Sequence, residues 1–150
     1  MLTYFLLFLV ASAAAAATGI IFKPGAWYEG LTRPGFTPPN WVFPVAWTYL
    51  YISVAYAAAR VAGYEGAQMA LALFAVQIAL NTLWTPVFFG AHRLGFAMGV
   101  LTCLWVAVAA MMVVFFRLDL IAGLLVMPYL VWLSLAGALN WRVWRDNRST

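Results

Sequence analysis

The charged residues of this chain are placed so that they leave five long windows with no formal charge at their centres. Lys23, Glu29, Arg33, Arg60, Glu65, Arg93, Arg117, Asp119, Arg142, Arg145, Asp146 and Arg148 make up the full set. A helix crosses the hydrocarbon of a bilayer with roughly 20 apolar residues at about 1.5 Å rise each, and each window has that length. They are read as helices near 3–22, 41–60, 67–90, 94–116 and 119–141, the third and fourth separated only by Ala91-His92-Arg93. Only 8% of the 150 residues are charged and 67% are hydrophobic, whereas soluble domains carry about 25% charged residues. The expected fold class is an all-α integral membrane protein, a five-helix bundle forming one domain over 1–150. Short connections leave no room for a separate soluble unit.

The first window lacks the basic segment that opens a cleaved signal peptide, and its apolar run continues through Ile20, Ile21 and Phe22, so it is read as a span. Basic residues mark the cytoplasmic side. With five spans, the segment 23–40, the hinge and the C-terminal tail share one side, which holds Lys23, Arg33, Arg93, Arg142, Arg145 and Arg148. The other side holds Arg60 and Arg117. This predicts a multi-pass protein with its N-terminus out and its C-terminus in the cytoplasm. The net charge of +4 is accounted for by anionic lipid headgroups, so no nucleic-acid partner is expected.

No Asp, Glu, Lys, Arg or His falls in the central part of a window. Buried ionisable groups are costly in lipid and mark ion-coupled pumps, so their absence argues against one while leaving passive movement of an apolar solute open. There is no H-E-x-x-H, no paired carboxylates on a helix face and no G-x-S-x-G. No metal site and no required cofactor are expected. His92, the single histidine, sits at the hinge, where it reads as an interfacial residue before it reads as a haem ligand. Cys103 has no second cysteine to pair with and reads as a small packing residue.

The windows do contain uncharged polar and aromatic residues. Gln77, Asn81, Thr85 and Phe88 recur at helical spacing on one face of the third window, with Trp84 at its edge. Trp47, Thr48 and Tyr51 lie on the second, Trp105 on the fourth, and Tyr129, Trp132, Ser134 and Asn140 on the fifth. An amide facing lipid is unfavourable, so Gln77 and Asn81 should face the interior, either as helix–helix hydrogen-bond partners or as the polar floor of an aromatic pocket. Small residues that allow close helix contact occur at Gly95 and Gly99 and at Ala75 and Ala79.

The segment 23–40 runs into the second window as Pro34-Gly35-Phe36-Thr37-Pro38-Pro39-Asn40-Trp41-Val42-Phe43-Pro44. Its prolines fix φ and remove backbone donors, so it is a stiff cover and not a flexible linker. Together with Trp27-Tyr28, Trp47-Thr48, Leu50-Tyr51, Asn81 to Gly90 and Pro128-Tyr129-Leu130-Val131-Trp132, it makes the chain resemble the TspO/MBR family, the tryptophan-rich sensory proteins of bacteria and the mitochondrial translocator protein. The resemblance runs from about Gly19 to Arg145.

The resemblance implies a five-helix bundle, commonly a homodimer, with a ligand pocket beneath the segment 23–40 acting as lid. It implies a membrane receptor or sensor that binds protoporphyrin IX, related tetrapyrroles and other apolar small molecules, with cholesterol as a ligand in animals. Carried onto this chain, the pocket residues are Trp27, Tyr28, Trp41, Trp47, Tyr51, Asn81, Trp84 and Phe88, with Cys103 and Trp105 on or near a fourth wall and Trp132, Ala136 and Asn140 on the fifth helix. Ala75 and Ala79 would form the dimer face, leaving Gly95 and Gly99 for packing within one subunit. The animal sterol motif falls on Leu139, Trp141, Arg142 and Arg145, where Trp141 stands in place of a tyrosine and puts sterol recognition in doubt for a bacterial-type chain. Alternatives are a passive tetrapyrrole carrier, or an enzyme that breaks porphyrin down in light, with Trp47 and Trp132 as the reactive side chains.

Overall fold

The computed structural model describes residues 1–22 and 25–147. Lys23 and Arg148, two of the basic residues used to orient the chain, lie outside the described residues. Helix α1 is Leu2–Ile21, α2 Ala26–Glu29, α3 Val42–Ala62, α4 Gln68–Thr85, α5 Leu94–Leu118 and α6 Leu120–Asp146, and a π-helical segment, Pro86–Gly90, prolongs α4. Five of these elements are long and apolar enough to cross a membrane, with α4 and its π segment counted as one.

Two expectations are corrected. The segment 23–40 was expected to be loop alone, yet it contains the single turn α2. The fifth span was expected to end near 141, but α6 continues to Asp146. Charged residues spaced between apolar ones do not stop a helix, because Leu139 and Val143 recur at i, i+4 and keep one face buried.

The five long helices form a closed ring in the order α1, α3, α6, α5, α4 and back to α1. In lipid such packing rests on close contact and interhelical hydrogen bonds, not on removing apolar surface from water. Small residues on α3 meet that need: Ala55, Ala57, Ala58 and Ala59 are buried almost completely. Leu104, Val108, Met111 and Phe115 of α5 and Val126, Tyr129 and Leu133 of α6 fill the same core.

The ring has two distinct ends. At one, Asp119 starts α6 by accepting the backbone N–H groups of Ile121 and Ala122 at 2.9 and 3.1 Å, a helix N-cap. Its other oxygen lies 3.2 Å from the Arg60 guanidinium and accepts the Tyr64 hydroxyl at 3.1 Å. Burial pushes the Asp119 carboxyl upward, but the Ala122 N–H, Arg60 and Tyr64 outweigh it and hold the group below the usual carboxylate range. At the opposite end the segment 25–41, the hinge after the π segment and the last turn of α6 come together. The charge alternation in the sequence thus corresponds to two real ends of the bundle.

Candidate functional site

Toward the end covered by the segment 25–41, α3, α4 and α6 turn amide and aromatic side chains inward. Asn81 is the junction of a buried polar chain. It donates from Nδ2 to the Tyr129 hydroxyl at 2.8 Å, and Tyr129 donates in turn to Gln77 Oε1 at 2.7 Å. The Tyr51 hydroxyl donates to Asn81 Oδ1 at 3.4 Å. Three helices are tied together by groups that would otherwise be unpaired in an apolar medium, where that is costly. A second link runs from Trp84 Nε1 to Asn140 Oδ1 at 3.1 Å, and from Asn140 Nδ2 to the Leu94 carbonyl at 3.1 Å.

Aromatic rings cluster beside this polar chain in two groups. In the first, Trp47 stacks on Tyr51 with centroids 5.6 Å apart and meets Tyr129 and Trp132 edge to face at 6.1 and 6.3 Å. Phe43 packs edge-on against Trp132 at 5.6 Å. The Trp132 indole N–H is buried and has no hydrogen-bond partner among the described residues. It is a donor held ready in an aromatic wall, and buried indole N–H groups ordinarily find an acceptor.

The second group lies beneath α2. Trp84 contacts Phe88 at 5.1 Å, Phe88 contacts Phe89 at 4.7 Å, and Trp27 and Tyr28 pack on Phe88 and Phe89 at 5.9 and 5.4 Å respectively. The His92 ring stacks flat on Trp27 at 3.9 Å with an interplanar angle of 7°. His92 stands at φ 57°, the left-handed region that few non-glycine residues enter, and this turns the chain sharply from the π segment into α5. Trp84 packs against both groups and bridges them.

Most of the residues expected at the site therefore gather there. Trp47, Tyr51, Asn81, Trp132 and Ala136 belong with the first group or the core it adjoins; Trp27, Tyr28, Trp84 and Phe88 form the second; Asn140 ties to Trp84. Three do not. Trp41 precedes α3 and is 68% exposed. Cys103 is exposed, which also overturns its reading as a packing residue. Trp105 is 40% exposed and donates to Ser134 Oγ at 3.0 Å, on the rim of an outward-facing groove of about 280 Å³ between α5 and α6. The reason is the phase of α5: Leu101, Leu104, Val108 and Met111 take the inward face, and positions 103 and 105 fall on its two opposite flanks.

The sterol-motif residues also divide. Leu139 is buried, whereas Trp141 faces outward with the Arg145 guanidinium 4.8 Å above its ring. Arg142 lies over Phe36 of the covering segment at 6.0 Å. Ala75 and Ala79 are exposed on the outer face of α4, where they remain free to meet a neighbour. A Cβ at Gly95 would sit 3.1 Å from the Trp144 ring, but one at Gly99 would meet nothing within 4 Å. Gly99 is thus removed from internal packing, against expectation.

Four neighbours of the site lie outside the expected ligand contacts, although the sequence marks Gln77 as a candidate for the pocket's polar floor and Tyr129 among the aromatic residues of the fifth window. Tyr129 stands three residues before Trp132, Gln77 four before Asn81 and Phe43 four before Trp47, so helical spacing carried each of them. Phe89 carried no such signal, because it enters only through the π segment.

The sequence profile of the TspO/MBR family matches residues 5–145. The chain is 54% identical over 150 residues to the protein CrtK of Rhodobacter capsulatus, covering 97% of this chain and 94% of that one. It is 51% identical over 143 residues to a tryptophan-rich sensory protein of Cereibacter sphaeroides, covering 95% and 90%. To the human translocator protein it is 40% identical over 126 residues, covering 81% of this chain and 75% of the relative.

Proposed function

The chain belongs to the TspO/MBR family, and from that premise we propose that it is a multi-pass membrane receptor that binds protoporphyrin IX or a related flat, apolar tetrapyrrole between α3, α4 and α6. The observation that carries the reading is the wall formed by Phe43, Trp47 and Trp132, with a buried indole N–H that lacks an acceptor. Rings supply faces and edges for a planar macrocycle. The unpaired donor suits an acceptor on the ligand, such as a carboxylate or carbonyl oxygen. The Gln77–Tyr129–Asn81–Tyr51 chain spends its hydrogen bonds internally, so it fixes the shape of the site and offers little to a polar competitor. The pocket needs no cofactor of its own.

In the same reading the protein pairs as a homodimer through the Ala75 and Ala79 face of α4, with Arg33, Arg93, Arg142 and Arg145 on the cytoplasmic side and the N-terminus outside. The decisive experiment is a tryptophan-fluorescence titration of the purified protein with metal-free protoporphyrin IX, run in darkness and under illumination. Saturable quenching in darkness with unaltered porphyrin recovered afterwards supports a receptor. Turnover to new products only under light would make it an enzyme, and absence of saturation would remove the porphyrin from the proposal.

A further inference from the structure

The covering segment touches the rest of the protein through few polar contacts, and one residue supplies the strongest of them. Asn147, buried just past the end of α6, accepts the Thr32 backbone N–H at its Oδ1 at 3.0 Å and donates from Nδ2 to the Thr32 carbonyl at 2.9 Å. The same Nδ2 donates to the Val143 carbonyl at 2.7 Å, one of the last carbonyls of α6, which have no partner within the helix. One amide side chain therefore imitates a neighbouring strand to residue 32 while capping the helix 115 positions away. Only asparagine meets these three demands. Aspartate has no donor, glutamine is one methylene too long, and alanine offers neither group.

The remaining holds on this segment are aromatic or local. Trp27 stacks on His92, Tyr28 packs against Phe88 and Phe89, Arg33 lies over Tyr28 at 4.9 Å, and Thr37 bonds back to Pro34 at 2.7 Å. The α2 half is pinned to the hinge by rings. The proline-rich half beyond residue 31, which leads directly into Phe43 and Trp47, is secured to α6 by the paired hydrogen bonds of the Asn147 amide and by the looser contact of Arg142 over Phe36 at 6.0 Å.

We infer that Asn147 is the positioning residue of the lid: its paired hydrogen bonds to Thr32 hold the proline-rich half shut over the Trp47–Trp132 wall, and their release opens the route by which ligand enters and leaves. The inference rests on the porphyrin-binding reading for its kinetic consequence, but not for the strap itself. It predicts a particular kinetic signature. Weakening a strap that closes a lid speeds entry and exit together and moves the equilibrium affinity little, whereas damage to the wall would raise the exit rate and lower affinity.

The test compares wild type, Asn147→Ala and Asn147→Asp in lipid nanodiscs. Hydrogen exchange of residues 30–40 is followed alongside stopped-flow association and dissociation of metal-free protoporphyrin IX. In Asn147→Ala the amides of the segment should exchange about tenfold faster while those of α3 and α5 are unchanged, and both rate constants should rise by a similar factor. Asn147→Asp keeps the acceptor for the Thr32 N–H but turns a carboxylate oxygen toward the Thr32 and Val143 carbonyls, so it should loosen the segment at least as much as Asn147→Ala. Unchanged exchange in Asn147→Ala would overturn the strap. Faster exchange with wild-type rates would overturn its role as the gate. If wild type binds no porphyrin, the functional reading falls, and the exchange rates alone decide whether Asn147 holds the lid.

Discussion

Tyr129 shows how much a single hydroxyl does inside this bundle. It accepts from Asn81 and donates to Gln77, so Tyr129→Phe strands one donor and one acceptor in a buried site. The expected loss is about 1–2 kcal/mol, read as an earlier midpoint in denaturant-induced unfolding in micelles, with little change in porphyrin affinity. A midpoint equal to wild type would mean that the two amides re-pair elsewhere. Trp132→Phe should act on the ligand more than on the fold. It keeps an aromatic face toward Phe43 and Trp47 but removes the unpaired N–H together with part of the ring, so stability should fall modestly through the gap left while porphyrin affinity drops several-fold, about 1 kcal/mol. Equal dissociation constants for the two proteins would show that no ligand atom reaches that donor. Iron should add nothing to either measurement. Cys103 faces outward and the His92 ring is stacked on Trp27, so metal-free porphyrin and haem are expected to bind about equally; a strong preference for haem that vanishes in His92→Ala would overturn this.

Among the elements, α4 and α5 separate what a sequence tells from what it hides. The five spans were legible because charge is excluded from hydrocarbon. Gln77 and Asn81 were legible as inward residues because an amide has nowhere else to go. The faces of α5 were not legible: almost every side chain on it is apolar, and in lipid an apolar residue is at home on either side. Cys103 and Trp105 were misplaced for that reason. Phe89 escaped notice for another. The Ala91 N–H bonds back five residues to Pro86 at 2.8 Å, so the π segment changes the phase of the helix, and Phe88 and Phe89 both meet Tyr28. The two glycines of α5 divide in the same way. Gly95→Leu should destabilise the fold by driving a side chain into Trp144, whereas Gly99→Leu should be tolerated, since its Cβ points into open space. Ala75→Leu and Ala79→Leu should leave the fold and porphyrin binding intact and reduce crosslinked dimer in native-like membranes. Dimers that persist in both alanine variants but vanish in Gly99→Leu would move the interface to α5.

On the scale of the whole molecule, pH acts through Asp119. Its carboxyl titrates below the usual range in the folded protein, so its contribution is present above the unfolded carboxylate value of about 3.9 and is lost as pH falls through the lower folded value. The wild-type protein should accordingly unfold more readily as the medium is acidified below about pH 4. Asp119→Asn retains a good helix cap but no charge for Arg60. It should be less stable at neutral pH and show a shallower acid limb; identical pH profiles would remove Asp119 as a source of acid sensitivity. Arg60, Tyr64 and Asp119 hold the ring together far from the covered end, where rings and amides do the fastening. The bundle therefore has two separate handles. Acid acts on the buried ion pair that joins helices at one end, whereas the ion pairs of the covered end, Arg142–Asp146 and Arg145–Asp146, lie within α6 and leave the fastening between elements there to rings and amides. Acid below about pH 4 should therefore loosen the Asp119 end first, and the covered end should stay closed until the bundle itself gives way.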